Sequence, residues 1–151
     1  MCFHCFDVLV KELVHGGAHH KRKHPETPDF LKELPKTAQT PLFVTWDKYK
    51  FSAQSQYVLR GCIGTLSPKP LITAIGEYSL MAALQDRRFK PVESHELPHL
   101  RVGVSLLVKY EDCDHVHDWV VGVHGIIIKF TDDDNVMYSA TYLPEVAKEQ
   151  G

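Results

Sequence analysis

Much of what would send this chain to a membrane, out of the cell or onto nucleic acid is missing from it. No apolar run approaches the ~20 residues that a membrane-spanning helix needs. The opening Met1-Cys2-Phe3-His4-Cys5-Phe6-Asp7 has no basic region ahead of an apolar stretch, so it does not read as a secretion leader. Neither end carries a lipidation motif. Neither sign of charge is in excess: 17 Lys and Arg face 19 Asp and Glu, a formal charge of −2. That balance removes whole-domain attraction to nucleic acid or anionic lipid and leaves only local patches. Four cysteines, Cys2, Cys5, Cys62 and Cys113, stand in a sequence with no other sign of an oxidising compartment, and they read as reduced thiols. These absences predict a soluble protein of the cytoplasm, the nucleus or both, with no membrane partner.

Common catalytic signatures are absent as well. There is no glycine-rich phosphate loop, no serine-nucleophile elbow, no HExxH and no paired acidic metal motif. No motif therefore calls for a cofactor. What is present is an ordinary globular composition, 44% hydrophobic and 24% charged over 151 residues, enough for one domain with its own core.

Hydrophobic periodicity divides the chain into elements. Phe3, Phe6, Val10, Leu13 and Val14 form a helical stripe closed by Gly16-Gly17. Residues 16–40, rich in Lys, His and Pro, read as an exposed loop with at most one helical turn around Phe30 to Leu34. Pro41 to Trp46 and Tyr57 to Leu66 read as strands, and Ser67-Pro-Lys-Pro70 starts a helix that carries Leu71, Ile75, Tyr78 and Leu84. Val102 to Tyr110 alternates as a strand with one buried face. Trp119 to Thr131, apolar nearly throughout, predicts a strand covered on both faces. Asp132 to Asn135 is a hairpin turn, Val136 to Tyr142 the returning strand, and Leu143 to Gly151 a final helix with Pro144 in its first turn. The fold class is α+β, a mixed and largely antiparallel sheet packed with helices.

Chemistry concentrates in Leu59-Arg60-Gly61-Cys62-Ile63-Gly64-Thr65. Simple alternation puts Arg60, Cys62 and Gly64 on one face, where a guanidinium near the thiol would favour the nucleophilic thiolate. The amides of Gly61 and Gly64 would donate to an anion. The alternative is that Cys62 is a small buried hydrophobe and the glycines make room for a packed neighbour. His124, in Val121-Gly-Val-His-Gly-Ile126, is either the acid/base partner of the thiol or a core histidine held by backbone. Glu145 either orients His124 or simply suits the positive end of the last helix.

Ten histidines raise the question of metal. Cys2-x2-Cys5-x13-His19-x4-His24 has zinc-finger spacing, but its cysteines sit in a helical stripe and its histidines in a basic, solvated loop. Cys113, His115 and His117 form a second, weaker cluster. Neither is assigned as a metal site.

Pro41-Leu-Phe-Val-Thr-Trp46, Leu59 to Thr65, Glu96-Leu-Pro98, Val104-Ser-Leu-Leu107, Val121 to Ile126 and Ala140-Thr-Tyr-Leu-Pro-Glu-Val-Ala-Lys-Glu-Gln-Gly151 resemble the AMMECR domain family. The resemblance runs in order along the whole chain. It implies an α+β domain of two unequal subdomains, with the cysteine motif lining a cleft, and an intracellular setting. It also implies a further helix and strand beyond Gly151 and a loop between His15 and Lys36 longer than in other members. In prokaryotes the domain is associated with a Memo-type domain and a radical SAM enzyme, which points to a modification pathway, with RNA bases among the conceivable substrates. Arg60, Cys62, Thr65, His124 and Glu145 are the residues carried over from the family pattern.

Three functional readings stand. In the first, the protein is a thiol-dependent enzyme acting on a small molecule or RNA, with Cys62 as nucleophile, His124 and Glu145 as acid/base pair, and Arg60, Gly61, Gly64 and Thr65 binding substrate. In the second, it is a non-catalytic interaction domain in which the same motif is structural. In the third, Arg60 and the glycine amides bind phosphate or a nucleotide.

Overall fold

The computed structural model of the chain describes residues 1–16, 28–35, 37–51 and 55–150. It divides into two compact units of unequal size, Met1–Lys109 and Tyr110–Gly151.

The first unit is a three-stranded antiparallel sheet with helices on one face. Its elements are α1 (Cys2–His15), α2 (Asp29–Lys32), β1 (Gln39–Lys50), β2 (Gln56–Pro70), α3 (Leu71–Leu84), a 3-10 helix (Ser94–His99) and β3 (Leu100–Leu106). The strand order is β2-β1-β3, so β1 is central and β2 is an edge. Alternation along β1 sets the layering: Leu42, Val44 and Trp46 are fully buried, while Phe43, Thr45 and Asp47 between them are not. Against the buried face pack Cys5 and Leu9 of α1 and Ala74, Ile75 and Ala82 of α3. Trp46 anchors the core. Its ring meets Phe6 edge-on at 4.8 Å, and its Nε1 donates to the Ser79 carbonyl at 3.0 Å. The Ser79 hydroxyl in turn donates to the Cys5 carbonyl at 3.1 Å, which ties α3 to α1. Pro70, with φ −58°, precedes the first turn of α3.

The second unit holds β4 (Ile126–Thr131), β5 (Met137–Tyr142) and α4 (Pro144–Gln150). The two strands pair antiparallel, Ile126 opposite Tyr142 and Thr131 opposite Met137. Asp132 builds the hairpin: its Oδ1 accepts the amides of Asp134 and Val136 at 3.0 and 2.9 Å, while Asn135 takes φ 60°.

Two expectations fail here. The apolar run from Trp119 is not a buried strand, since β4 begins only at Ile126, and Val120, Val121 and Val123 are more than half exposed. Gly122 has φ +79°, which a strand cannot accommodate, and the His124 amide donates to the Val120 carbonyl at 3.0 Å, closing a turn. The alternating strand from Val102 ends at Leu106, and Val108 and Tyr110 are exposed. Residues 17–27 and 36 of the Lys/His/Pro-rich stretch 16–40, His19 and His24 among them, lie outside the described residues. Within the remainder, α2 is the expected helical turn and Leu31 is buried in the core.

Candidate functional site

The cysteine motif lies on β2, paired with β1. Register brings Gly64 opposite Phe43, Ile63 opposite Val44, Cys62 opposite Thr45 and Gly61 opposite Trp46. The register then shifts, because Asp47 pairs with Leu59, and Arg60 is the extra residue of a β-bulge. Simple alternation therefore holds for Cys62 and Gly64 but not for Arg60. Both glycines answer to close approach. A Cβ at Gly61 would collide with the Ala82 carbonyl of α3, and one at Gly64 with the ring of Phe43. Thr65 makes a local turn, its hydroxyl accepting the Ser67 amide at 3.0 Å.

Cys62 is half-buried, on the face of the sheet opposite the helices, with its Sγ 3.2 Å from the Thr45 hydroxyl. Its backbone, on the outer side of an edge strand, is closed by the segment that follows α3. Asp86 Oδ2 accepts the Cys62 amide at 2.9 Å, and Arg88 Nη2 donates to the Cys62 carbonyl at 3.2 Å. Asp86 is buried and holds Arg88 through three bonds, from the Arg88 amide (3.1 Å), Nε (3.0 Å) and Nη2 (2.7 Å). The Arg88 guanidinium, outweighing the cost of burial, holds the Asp86 carboxyl down at about 2, with the Cys62 amide assisting.

Arg60 belongs to a different cluster. Its Nε and Nη2 reach the buried Glu96 at 3.0 and 2.9 Å, and its Nη1 and Nη2 reach the carbonyls of Lys90 and Pro91. Lys48 joins Glu96 at 2.7 Å. Burial by itself would raise the Glu96 carboxyl, but the bonds from Arg60, Lys48 and the Glu93 amide bring it down to about 2. Every nitrogen of the Arg60 guanidine group is bonded, and its side chain is 13% exposed. This cluster welds the bulge of β2 to the 3-10 helix.

His124 and Glu145 belong to the second unit. His124 is exposed, and its Nδ1 accepts the Val120 amide at 3.0 Å. The neutral ring therefore carries its proton on Nε2. Nδ1 holds the ring's one available lone pair, and it can receive a proton only when its bond to Val120 opens. Glu145 is exposed in the first turn of α4. Among the described residues no three His, Cys, Asp or Glu side chains gather as a metal site. Cys5 is fully buried, and burial pushes its thiol up to about 11.

The profile of the AMMECR1 family matches residues 2–151. The chain belongs to the AMMECR1 family. It is 44% identical over 152 residues to an uncharacterised protein of Arabidopsis thaliana, covering 100% of this chain and 64% of that one. To an uncharacterised protein of Schizosaccharomyces pombe it is 39% identical, covering 99% and 70%. The crystal structure of an uncharacterised Pyrococcus horikoshii protein is similar with a TM-score of 0.73 at 29% identity, covering 99% of this chain and 70% of that one. The chain thus spans about two thirds of the length of the relatives it matches.

Within this AMMECR1 fold, sequence reasoning missed Thr45, Asp86, Arg88 and the carboxylate of Glu96. Thr45 is visible only once β1 and β2 are in register. Asp86 and Arg88 did leave a signal: two opposite charges two residues apart, just past a helix end, followed by Phe89 and Pro91. Nothing in that spacing tells which strand they close.

Proposed function

We propose that this AMMECR1-family chain carries a thiol-dependent activity in a modification pathway, with Cys62 as the nucleophile and a small molecule or an RNA base as substrate. The observation that carries the reading is the setting of Cys62. Its thiol stands half-buried on the helix-free face of an edge strand beside a hydroxyl, its backbone pinned on both sides by the Asp86–Arg88 pair. A thiol kept for packing belongs in the helix-covered core, where Cys5 is. In this proposal Arg60, Gly61, Gly64 and Thr65 build the strand that presents the thiol. His124 serves as acid/base and Glu145 as its partner, a role that requires the bond between His124 and Val120 to open. Memo-type and radical SAM proteins are the pathway partners that the family resemblance implies.

The test uses the chain's own thiols as references. Brief iodoacetamide treatment at pH 7, read by peptide mass spectrometry, should label Cys62 faster than the exposed Cys2 and Cys113, although Cys62 is less accessible. Cys5 should label last. Labelling of Cys62 only on unfolding would end the reading.

A second reading, a non-catalytic interaction domain, is favoured by the β4–β5 ribbon. Ile126, Ile128 and Phe130 share one of its faces with Tyr138, Ala140 and Tyr142. On that face Phe130 stacks on Tyr138 at 5.2 Å, and both remain about half exposed. Under this reading Cys62→Ser leaves partner binding unchanged.

A further inference from the structure

Two arginines flank Cys62 in sequence or in space, and their surroundings differ in one decisive respect. Arg60 is enclosed: its side chain is 13% exposed and each of its three nitrogens has a partner. Arg88 is open. Its side chain is 57% exposed, and its Nη1 has no hydrogen-bond partner among the described residues. Yet its guanidinium is not loose. Nε and Nη2 grip the two oxygens of Asp86, and Nη2 also reaches the Cys62 carbonyl. A planar guanidinium clamped along one edge presents its remaining N–H groups in a fixed direction, which removes most of the entropy cost of capturing an anion. Asp86 is itself 4% exposed at the side chain, so the clamp is rigid. The Asp86 bond keeps the guanidinium firmly charged against the cost of burial, and the bond from Nη2 to the Cys62 carbonyl at 3.2 Å sets it beside that residue.

We infer that Arg88 is the recognition residue of the Cys62 site, and that the ligand it selects is a small molecule bearing a carboxylate next to the carbon that meets the thiol. In this proposal the carboxylate accepts from Nη1, the nitrogen that Asp86 and the Cys62 carbonyl leave open, while the neighbouring carbon meets the thiol. This rests on the reading of Cys62 as a reactive thiol and adds the charge of its substrate. It also reassigns anion recognition from Arg60, whose donors are committed to Glu96 and two carbonyls.

The experiment compares two reagents of equal reach and opposite suitability, iodoacetate and iodoacetamide. Each alkylates by the same displacement: the sulfur–carbon bond forms, iodide leaves and the thiol proton passes to solvent. The full chain, with Cys2 and Cys113 replaced by Ser, is treated at pH 7, and the iodoacetate-to-iodoacetamide rate ratio at Cys62 is measured against the same residue in urea. The expected ratio in the folded chain is at least fivefold above the unfolded one. It falls to the unfolded value in Arg88→Gln, is partly kept in Arg88→Lys, and is unchanged in Arg60→Lys, which retains a cation for Glu96. Circular dichroism melts confirm that each variant is folded under the labelling conditions. A fast Cys62 with no preference for iodoacetate, or a preference that survives Arg88→Gln, overturns the inference and leaves the thiol reading standing. A Cys62 inert to both reagents until unfolding overturns both.

Discussion

At the scale of single residues, the side chains of the cysteine motif divide by what they touch. Gly61 and Gly64 are small because a helix carbonyl and an aromatic ring occupy the space of a side chain. Arg60 is charged because Glu96 is buried beside it, and Cys62 alone faces the helix-free side with chemistry to offer. His124 shows how a polar residue among apolar neighbours serves the backbone. Its ring accepts the Val120 amide, and its own amide returns to the Val120 carbonyl. His124→Asn offers a short side-chain acceptor in place of Nδ1 and should leave the turn near wild-type stability. His124→Ala should cost about 1 kcal/mol, the usual worth of one such bond. Urea titration monitored by NMR signals of Val120 and Gly125 distinguishes them; equal loss in both variants would mean that the ring's bond is not what closes the turn.

At the scale of elements, α3 sits on β2 only because Gly61 lets the Ala82 carbonyl approach. Gly61→Ala forces the helix off the strand, with a loss of about 3 kcal/mol or more in chemical denaturation. A loss under 1 kcal/mol would show that the helix relaxes freely. The packing of α1 carries a pH dependence of its own. His4 is 5% exposed, and its Nδ1 has no hydrogen-bond partner among the described residues. Burial lowers its pKa below 6.5, the Asp7 charge opposes this, and Lys11 and the amino terminus reinforce it. The unfolded chain therefore takes up this proton more readily than the folded one. Stability from α1 is full above about pH 6.5 and declines as the pH falls below it. Hydrogen exchange corrected for intrinsic rates should show α1 losing protection between pH 7 and 5.5 while α3 holds, and His4→Met should abolish the difference. Parallel loss in both helices would point to another group.

At the scale of the whole molecule, the two carboxylates buried among the described residues, Asp86 and Glu96, shape the acid limb of stability. Asp86 and Glu96 titrate near 2 in the folded chain against ordinary values of 3.8 and 4.5. Depressed carboxylates stabilise most above their unfolded values, and the contribution disappears as pH falls through the folded ones. The window is therefore about pH 4.5 to 2, with roughly 2–3 kcal/mol from each group at neutral pH. Urea midpoints of Glu96→Gln should start lower at pH 7 and fall less steeply across that window than the parent chain. An unchanged slope would remove Glu96 from the account. Both carboxylates lie in the segment 86–96 that braces β2, so acid should loosen the strand carrying Cys62 early.

How much of this was legible beforehand follows from the range of the forces involved. Local periodicity and proline placement announced α1, α3, α4, β1, β2 and the β4–β5 hairpin, because amphipathic stripes and turn residues act over a few positions. The family motif, also local, marked Cys62 as the place to look. The run from Trp119 misled because hydrophobicity reports neither a left-handed glycine nor a side chain that closes a turn. The bulge at Arg60 was invisible because register is set by the partner strand. So were the pairing of Arg60 with Glu96, 36 residues away, and the grip of Asp86 on Cys62, 24 residues away. Local pattern along the chain was enough for the α+β class, most of the elements and the motif that bears the thiol. Only the tertiary structure decided which arginine is enclosed and which is open, since long-range hydrogen bonds, not spacing along the chain, distribute the charged groups around that strand.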